Sequence, residues 1–531
     1  MLIHQLLEGH AASDPDKEAI VFHDQRFTYG DYLEAVNRVA ANMVKLGVKR
    51  GDKVALHIGN RPEYVFCYLA TISLGAAAVP VSTRFSDVEA AFVIGDSDSS
   101  FLALVPGFAG IDFLDIANKI LPSLPQVGKV VVLGTADEVG RVPGALPQDA
   151  LFGAVSESDL EALAKARTEV DKDDTAFLCY TSGSTGIPKA AELSHKNIVA
   201  YAKGQQYASE LTVDDRLLLD IPVNHVGGNV MAIIAMLNAG GTLVVLDQFI
   251  PQQVLQTIQD EKVSVMGQVG AQYILLMMQP DFDSYDLSSV KKAVVSAAPT
   301  PKEVFVQVRE KFGADLTNGY GLSEVCGAVT FTRVEEDSFE RLSTSIGKAN
   351  PGVEISMLGS DGKPLPVGQE GEISIKGDPV MKGYYNRPDE TDLVMTDDGY
   401  FRTGDMGMMD DDGYVYILGR KKEMYIRGGE NVYPPEVEEV LTEHPGVLFA
   451  AVVGVPDPVM GEEGRAYIVP MPGAEQPSEE DIKKWAAGKL AKYKVPRSVV
   501  FRESLPLTPL GKVMKRALYQ ELKGEEGEVK P

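Results

Sequence analysis

Over roughly its first 400 residues the chain repeats one rhythm: a short apolar run, a glycine or proline, then a segment with helical spacing. Val36, Val39, Ala40 and Met43 fall on one helical face, and Gly47 follows as a stop. A strand is expected at 54–58, then a helix from Pro62, a favourable first-turn residue, to Gly75. Strand patterns return at 242–246, 263–266 and 293–296. Such alternation defines an α/β fold with mostly parallel sheets covered on both faces.

After about residue 350 the texture changes. Turn signals crowd together at Ser360-Asp361-Gly362, Asp397-Asp398-Gly399 and Asp411-Asp412-Gly413, between short strands at 372–376 and 415–418. This is the pattern of a small antiparallel β subdomain. A helix then opens at Pro434-Pro435 with Val437, Val440 and Leu441 on one face. At 531 residues the chain exceeds what one core sustains, roughly 250–300 residues. The expectation is a large N-terminal α/β domain, 1–419, and a smaller C-terminal α+β domain, 420–531. The charged, glycine-bearing end, 524–531, is expected to fray.

Composition narrows the partners. Acidic residues outnumber basic ones by 76 to 50, a net charge of −26, which disfavours nucleic acid and anionic lipid surfaces. An anionic small molecule would then need a local cluster of cations and backbone donors. Cys67, Cys179 and Cys326 lie far apart, and the seven histidines include no HExxH, so neither disulfides nor a zinc module are expected. The N-terminus has no basic segment leading into an apolar run, and a cytoplasmic location is the expectation. Residues 226–246 have about the length of a membrane span. They carry Gly227, Gly228, Asn229, Asn238, Gly240 and Gly241, and read instead as a buried helix, a glycine turn and a buried strand. No integral membrane contact is expected, and oligomeric state, a homodimer included, is not readable from the residues.

The most informative stretch is YTSGSTGIPK at 180–189. Hydroxyls and bare N–H groups can wrap phosphate oxygens, glycines permit close approach, and the lysine adds a point charge. It is neither a Walker A loop nor a nucleophile elbow. On composition alone, a solvated turn after a strand at 176–179 would serve equally well.

That loop resembles the phosphate loop of the adenylate-forming superfamily, which comprises acyl-CoA synthetases, adenylation domains of peptide synthetases and luciferases. Further stretches resemble the family's motifs in the same order: NGYGLSE at 318–324, YFRTGD at 400–405, GRKKE at 419–423, GGENVYP at 428–434 and PLGK at 509–512. The resemblance covers essentially the whole chain. It implies that Thr181, Ser182, Gly183, Ser184, Thr185, Gly186 and Lys189 hold the ATP phosphates. Ala297, Ala298 and Pro299 would lie against adenine, with Tyr320 stacked on it and Asn318, Gly319 and Ser323 beside them. Asp405 would accept from the ribose hydroxyls with Arg420 alongside, and Glu324 would help hold Mg²⁺. Lys512 would meet the α-phosphate and the attacking carboxylate. Lys422 would be the hinge on which the C-terminal domain turns between adenylation and thioester formation. That turn would bring Gly428 and Gly429 to the coenzyme A tunnel. Ala190, Ser323 and Lys422 depart from the commonest family residues without removing a required chemical group.

The same resemblance implies an AMP-forming acyl-CoA synthetase acting on a carboxylic acid, ATP and coenzyme A. By position, His225, Gly227, Gly228, Asn229, Val269, Gly270, Ala271, Tyr273 and Gly321 would line the acyl pocket. Their small size suggests a roomy apolar cavity and disfavours acetate, and the lack of lysine or arginine disfavours dicarboxylic acids. A medium- or long-chain fatty acid is the leading expectation, with alicyclic or aromatic acids as the alternative. His225 stands near where amino-acid-adenylating relatives carry an aspartate, which argues against an amino acid substrate. A luciferase-like oxidase and an inactive scaffold are the remaining readings; the scaffold would be expected to have lost the loop or the lysine.

Overall fold

A computed structural model describes residues 1–181, 188–506 and 513–527. Two mostly parallel sheets form its bulk. The larger has nine strands in the spatial order Lys348–Ala349, Gly327–Phe331, Leu316–Leu322, Lys292–Ser296, Val265–Gln268, Arg216–Leu219, Thr242–Val245, Glu18–Phe22 and Gln25–Thr28. Its inner pairs are parallel, and antiparallel strands close both edges. The second sheet has seven strands, from Lys189–Ser194 through Thr175–Thr181 to Leu146–Pro147. The expected mostly parallel α/β class is therefore present, as two sheets.

Local sequence explains the helices between them. Tyr29–Lys45 starts with a reciprocal capping box: Thr28 accepts from the Asp31 amide, and the Asp31 carboxylate accepts from the Thr28 amide. Val36, Val39, Ala40 and Met43 are fully buried, and the helix ends just before Gly47, whose φ of +92° suits glycine. Pro62–Ser73 is buried on every side apart from Glu63, as befits a helix sandwiched between sheets. Its polar members are satisfied within the helix: Thr71 donates to the Cys67 carbonyl and Ser73 to that of Ala70.

Strand alternation assigns the two faces of the nine-stranded sheet. Leu217 and Leu219 join the main core between the sheets, while Leu218 joins a second core under the outer helices. The stretch 226–246 runs as Val226–Gly228, a π-helix Asn229–Ile234, Ala235–Ala239, a left-handed Gly240 and the strand Thr242–Val245. Among the described residues no helix is long and apolar enough to cross a membrane.

The antiparallel region expected after residue 350 is a four-stranded sheet, Val353–Leu358, Gly371–Gly377, Phe401–Met409 and Val415–Arg420. Its last strand includes Arg420, paired with Asp405, and the Lys421 amide still donates to Gly404. The next strand, Tyr425–Arg427, belongs to a separate sheet built on the long hairpin Val447–Asp457 and Gly461–Pro470. The change of sheet thus falls at 421–424, slightly beyond the expected 419/420 division. The last helix, Lys515–Gly527, takes in the first four residues of the stretch expected to fray; 528–531 lie outside the described residues.

Candidate active site

Parallel sheets present their functional loops at the carboxyl ends of the strands. In the nine-stranded sheet Lys292–Ser296 and Leu316–Leu322 end side by side, with Ser296 opposite Gly319. After the first comes the exposed loop of Ala297, Ala298 and Pro299. Ala297 sits at φ +75°, a conformation a non-glycine residue adopts at a cost of about 1–3 kcal/mol, and such strain gathers at functional sites. After the second come Ser323 and Glu324, both buried.

Tyr320 ties this edge to the small antiparallel sheet. Its hydroxyl donates to Asp405 Oδ2 at 2.8 Å, while Arg420 Nε lies 3.0 Å from Asp405 Oδ1. Burial first, then the Asp405 charge, holds the Tyr320 hydroxyl far above its ordinary range, so it stays a proton donor. The carboxylate is only 5% exposed and the Arg420 side chain 44%, which leaves the arginine facing solvent over a buried acid. Asn318 and Gly319 have structural contacts here. The Asn318 side chain donates to the Ser345 carbonyl, and a Cβ on Gly319 would lie 2.8 Å from the Phe331 ring.

Of the loop expected to hold phosphates, the flanking residues Thr181 and Lys189 pair with each other across a hairpin. Ser182, Gly183, Ser184, Thr185 and Gly186 lie outside the described residues. Lys189 Nζ stands 4.2 Å from the centre of the Tyr384 ring and 2.9 Å from Glu390 Oε2. The Tyr384 hydroxyl in turn donates to Glu324 Oε1 at 2.8 Å. Lys189, Tyr384 and Glu324 thus form one connected cluster beside the loop. Burial and the Glu324 carboxylate push the Tyr384 hydroxyl well above its usual range. Sequence reasoning missed Tyr384 and Glu390; the only signal was the aromatic pair in Gly383-Tyr384-Tyr385, which shows nothing of its partner 195 positions back. The segment is held in place by Arg387 on Asp96 at 2.8 Å, an acid that also accepts from Tyr180 at 3.0 Å.

Among the described residues no three carboxylate, histidine or cysteine side chains converge on a common metal position. Glu324 alone, with one oxygen held by Tyr384, fits Mg²⁺ only as a single protein ligand to an ion coordinated mainly by phosphate, the usual habit of that cation.

The acyl pocket residues separate sharply. A cavity lies between the nine-stranded sheet and the helix His195–Ala208, lined by Leu217, Leu219, Ile221, Gly267 and Val294, with Gly227 at its side. No charged residue is among its lining. Of the expected pocket residues only Gly227 lines it. His225 caps the helix beside it, its Nδ1 accepting from the Gly227 amide, which places the ring proton on Nε2. Gly228 packs against the Pro222 carbonyl, where a Cβ would lie 2.6 Å away, and Asn229 is buried with its amide donating to Tyr64. Tyr273 is a core residue on the opposite face of the sheet: its ring packs edge-on to Phe312 and its hydroxyl donates to the Val294 carbonyl. Val269, Gly270 and Ala271 start the helix that carries it, outside the cavity wall. Gly321 is required by the facing strand, since a Cβ there would meet the Gly327 carbonyl at 1.7 Å.

Beyond the small sheet, desolvation of its ammonium first and then Arg420 lower the pKa of Lys422, a residue exposed on the surface. Gly428 and Gly429 form the two-residue turn between Arg427 and Glu430, with φ of +61° and +93°, as a type I′ turn demands. Lys512 lies outside the described residues. Nearby Lys515 bridges Glu423, in the turn after Arg420, and Glu438 at 3.2 and 2.7 Å.

Tyr320, Asp405, Arg420 and Glu324 gather polar groups at the carboxyl ends of the strands, close to the Thr181–Lys189 hairpin, and the family comparison identifies the class as an adenylating enzyme. The model of the AMP-binding enzyme family matches residues 7–385 and that of the AMP-binding enzyme C-terminal domain matches 436–512; the chain belongs to this family. It is 33% identical to the long-chain-fatty-acid–CoA ligase FadD13 of Mycobacterium tuberculosis, over 97% of both chains. It is 35% identical to a Rhodococcus jostii CoA ligase for a methyl-dioxo-octahydroindenyl propanoate, over 95% of this chain and 96% of that one. Among solved structures, ATP-bound MatB from Rhodopseudomonas palustris superposes with a TM-score of 0.84 at 29% identity, covering 98% and 99% of the two chains.

Proposed function

We propose that the protein activates a lipophilic monocarboxylic acid with ATP and transfers the acyl group to coenzyme A. The observation that carries the acid class is the uncharged cavity, whose lining includes Ser296 next to Ala297 and offers nothing to pair a second carboxylate. In the first half-reaction a carboxylate oxygen attacks the α-phosphorus of ATP, a new P–O bond forms, and the α–β bridge breaks to release pyrophosphate. In the second, the thiol sulfur attacks the acyl carbon, the thioester forms, and AMP leaves with the mixed-anhydride oxygen.

The chain's own groups have distinct tasks. Asp405, already oriented by Tyr320 and Arg420, accepts from the ribose hydroxyls. Lys189, pressed on the Tyr384 ring, exchanges Glu390 for phosphate. Mg²⁺ carried on the phosphates with Glu324 as a ligand would neutralise their charge. Lys512 stabilises the charge that builds on the α-phosphate, and Lys422 and its neighbours at 421–424 form the connector on which the C-terminal domain turns. Lys512→Ala is then expected to impair pyrophosphate release far more than thioester formation from supplied acyl-AMP, and equal losses would refute this division of labour.

The leading acid is a medium- or long-chain fatty acid, supported by the likeness to a fatty-acid–CoA ligase. The likeness to a ligase for a fused-ring propanoate supports an alicyclic acid as the second reading. Pyrophosphate release is measured with acids from acetate to palmitate and with benzoate and cyclohexane carboxylate, each with and without coenzyme A. CoA-dependent turnover to a thioester supports the synthetase and identifies the acid class. Release without thioester points to another acceptor, and silence throughout removes the reading.

A further inference from the structure

Lys189 already has an anionic partner where the acid-activating reading needs a phosphate. Its Nζ lies 2.9 Å from Glu390 Oε2, with the lysine side chain 11% exposed and the glutamate side chain 31%. A pair so little exposed is screened less than one in open water, and it has to break before another anion can take the lysine. The other acid of this cluster, Glu324, is occupied by the Tyr384 hydroxyl at 2.8 Å.

The surroundings let the carboxylate leave while the ammonium stays. Lys189 Nζ also rests 4.2 Å from the centre of the Tyr384 ring, a cation–π contact that does not involve Glu390. Glu390 sits on the short helix Pro388–Asp392 and has a second cation near it, since its Oε1 lies 3.9 Å from Arg387 Nη1. Arg387 is itself fixed by Asp96, through Nη2 at 2.8 Å, and its Nε is buried with no partner among the described residues. A turn of the Glu390 side chain can thus exchange one cation for another without stranding the carboxylate.

Resting on the reading of Lys189 as a ligand of the ATP phosphates, we infer that Glu390 is a built-in competitor that weakens the hold of the site on polyphosphate. Any phosphate group that takes Lys189 does so against the same carboxylate, so ATP and pyrophosphate lose affinity by a similar factor. ATP keeps its adenine and ribose contacts, whereas pyrophosphate has none, and the product is left the weaker ligand. As pyrophosphate departs, Glu390 returns to Lys189 and neutralises the charge that would otherwise retain it. Glu390 touches neither the reacting carboxylate nor the α-phosphorus in this role; it acts on the reaction only through Lys189.

The test measures dissociation constants for ATP, inorganic pyrophosphate and AMP, each with Mg²⁺, by calorimetry on the whole chain and on Glu390→Gln and Glu390→Ala. Both variants remove the charge, and glutamine keeps the size. ATP and pyrophosphate are expected to bind at least about fivefold more tightly, the upper end for an ion pair near the surface, and pyrophosphate to inhibit turnover at correspondingly lower concentration. AMP, which lacks the outer phosphates, is expected to hold its affinity and so reports an intact fold. Asp389→Asn removes the exposed acid next in the chain and is expected to leave all three affinities as they are. An equal gain for AMP, or from Asp389→Asn, would trace the effect to the overall negative charge and overturn the proposal. Unchanged ATP and pyrophosphate affinity in both Glu390 variants, with ATP binding weakened by Lys189→Met, overturns the competitor and leaves the phosphate-binding reading standing. No ATP binding by the parent, or none lost in Lys189→Met, overturns both.

Discussion

Gly321 has no room for a side chain, because the Gly327 carbonyl occupies the space a Cβ would take at 1.7 Å. Both partners are backbone in an antiparallel pair, so relief requires the strands to separate. Gly321→Ala is expected to cost about 3 kcal/mol or more, the upper range of overpacking, read as a lowered urea midpoint. An unchanged midpoint would mean that the hairpin slides without penalty. Tyr384 is a different kind of constraint, with its ring against Lys189 and its hydroxyl on Glu324. Tyr384→Phe keeps the ring and removes the hydrogen bond, and should slow pyrophosphate release about tenfold, the worth of one hydrogen bond to a charged group. Tyr384→Ala should slow it further; equal rates in the two variants would place the whole effect in the hydroxyl. Asp405, Arg420 and Tyr320 were legible because each stands inside a contiguous motif. Tyr384 was not, since its meaning comes from residues that only folding brings near. Tyr273 misled for the converse reason: its position in the chain put it near the pocket, whereas the helix Gly270–Met277 that carries it packs it into the core on the far face of the sheet.

At the scale of elements, strand ends carry a titratable joint. Asp220 follows the strand Arg216–Leu219, and its Oδ2 accepts from the amide of Gln268, the last residue of the strand Val265–Gln268, at 2.8 Å. Burial pushes the Asp220 carboxyl up to about 7, against the pull of the Gln268 hydrogen bond. With the folded pKa above the unfolded one, the folded state holds the proton more tightly. The contribution of this group is therefore fully present below about pH 4 and declines as pH rises to about 7. Asp220→Asn keeps an acceptor for Gln268 and removes the charge. Its melting temperature relative to the parent should rise from pH 5 to pH 8, and a constant difference would exclude a buried ionisation. Helical spacing and stop signals made the main helices and strands readable in the sequence, from the face of Val36, Val39, Ala40 and Met43 with its stop at Gly47 to Pro62 and Gly240. The π-helix Asn229–Ile234 was not readable, because its residues are as apolar as those of an ordinary buried turn and only the register of backbone bonds distinguishes it.

At the scale of the molecule, few side chains link the connector after Arg420 to the last helix, and Lys515 is central among those described. It lies between Glu423 and Glu438 with its side chain 11% exposed. Lys515→Met strands a buried carboxylate and should cost about 3–5 kcal/mol, whereas Lys515→Met combined with Glu438→Gln should recover part of it. A double-mutant cycle in urea measures this, and additive losses would deny the coupling. The order of strands in the large sheet also bears on how the chain is made. Glu18–Phe22 adds to that sheet only through Thr242–Val245, with Ile20 opposite Leu243. A ribosome emitting about 5–20 residues per second needs on the order of 10–45 s to deliver the second strand after the first. For that interval the nascent chain holds an apolar strand with its own hairpin partner on one edge and nothing on the other. The opening strand of this protein is thus the one in its sheet that waits longest between synthesis and pairing on its second edge.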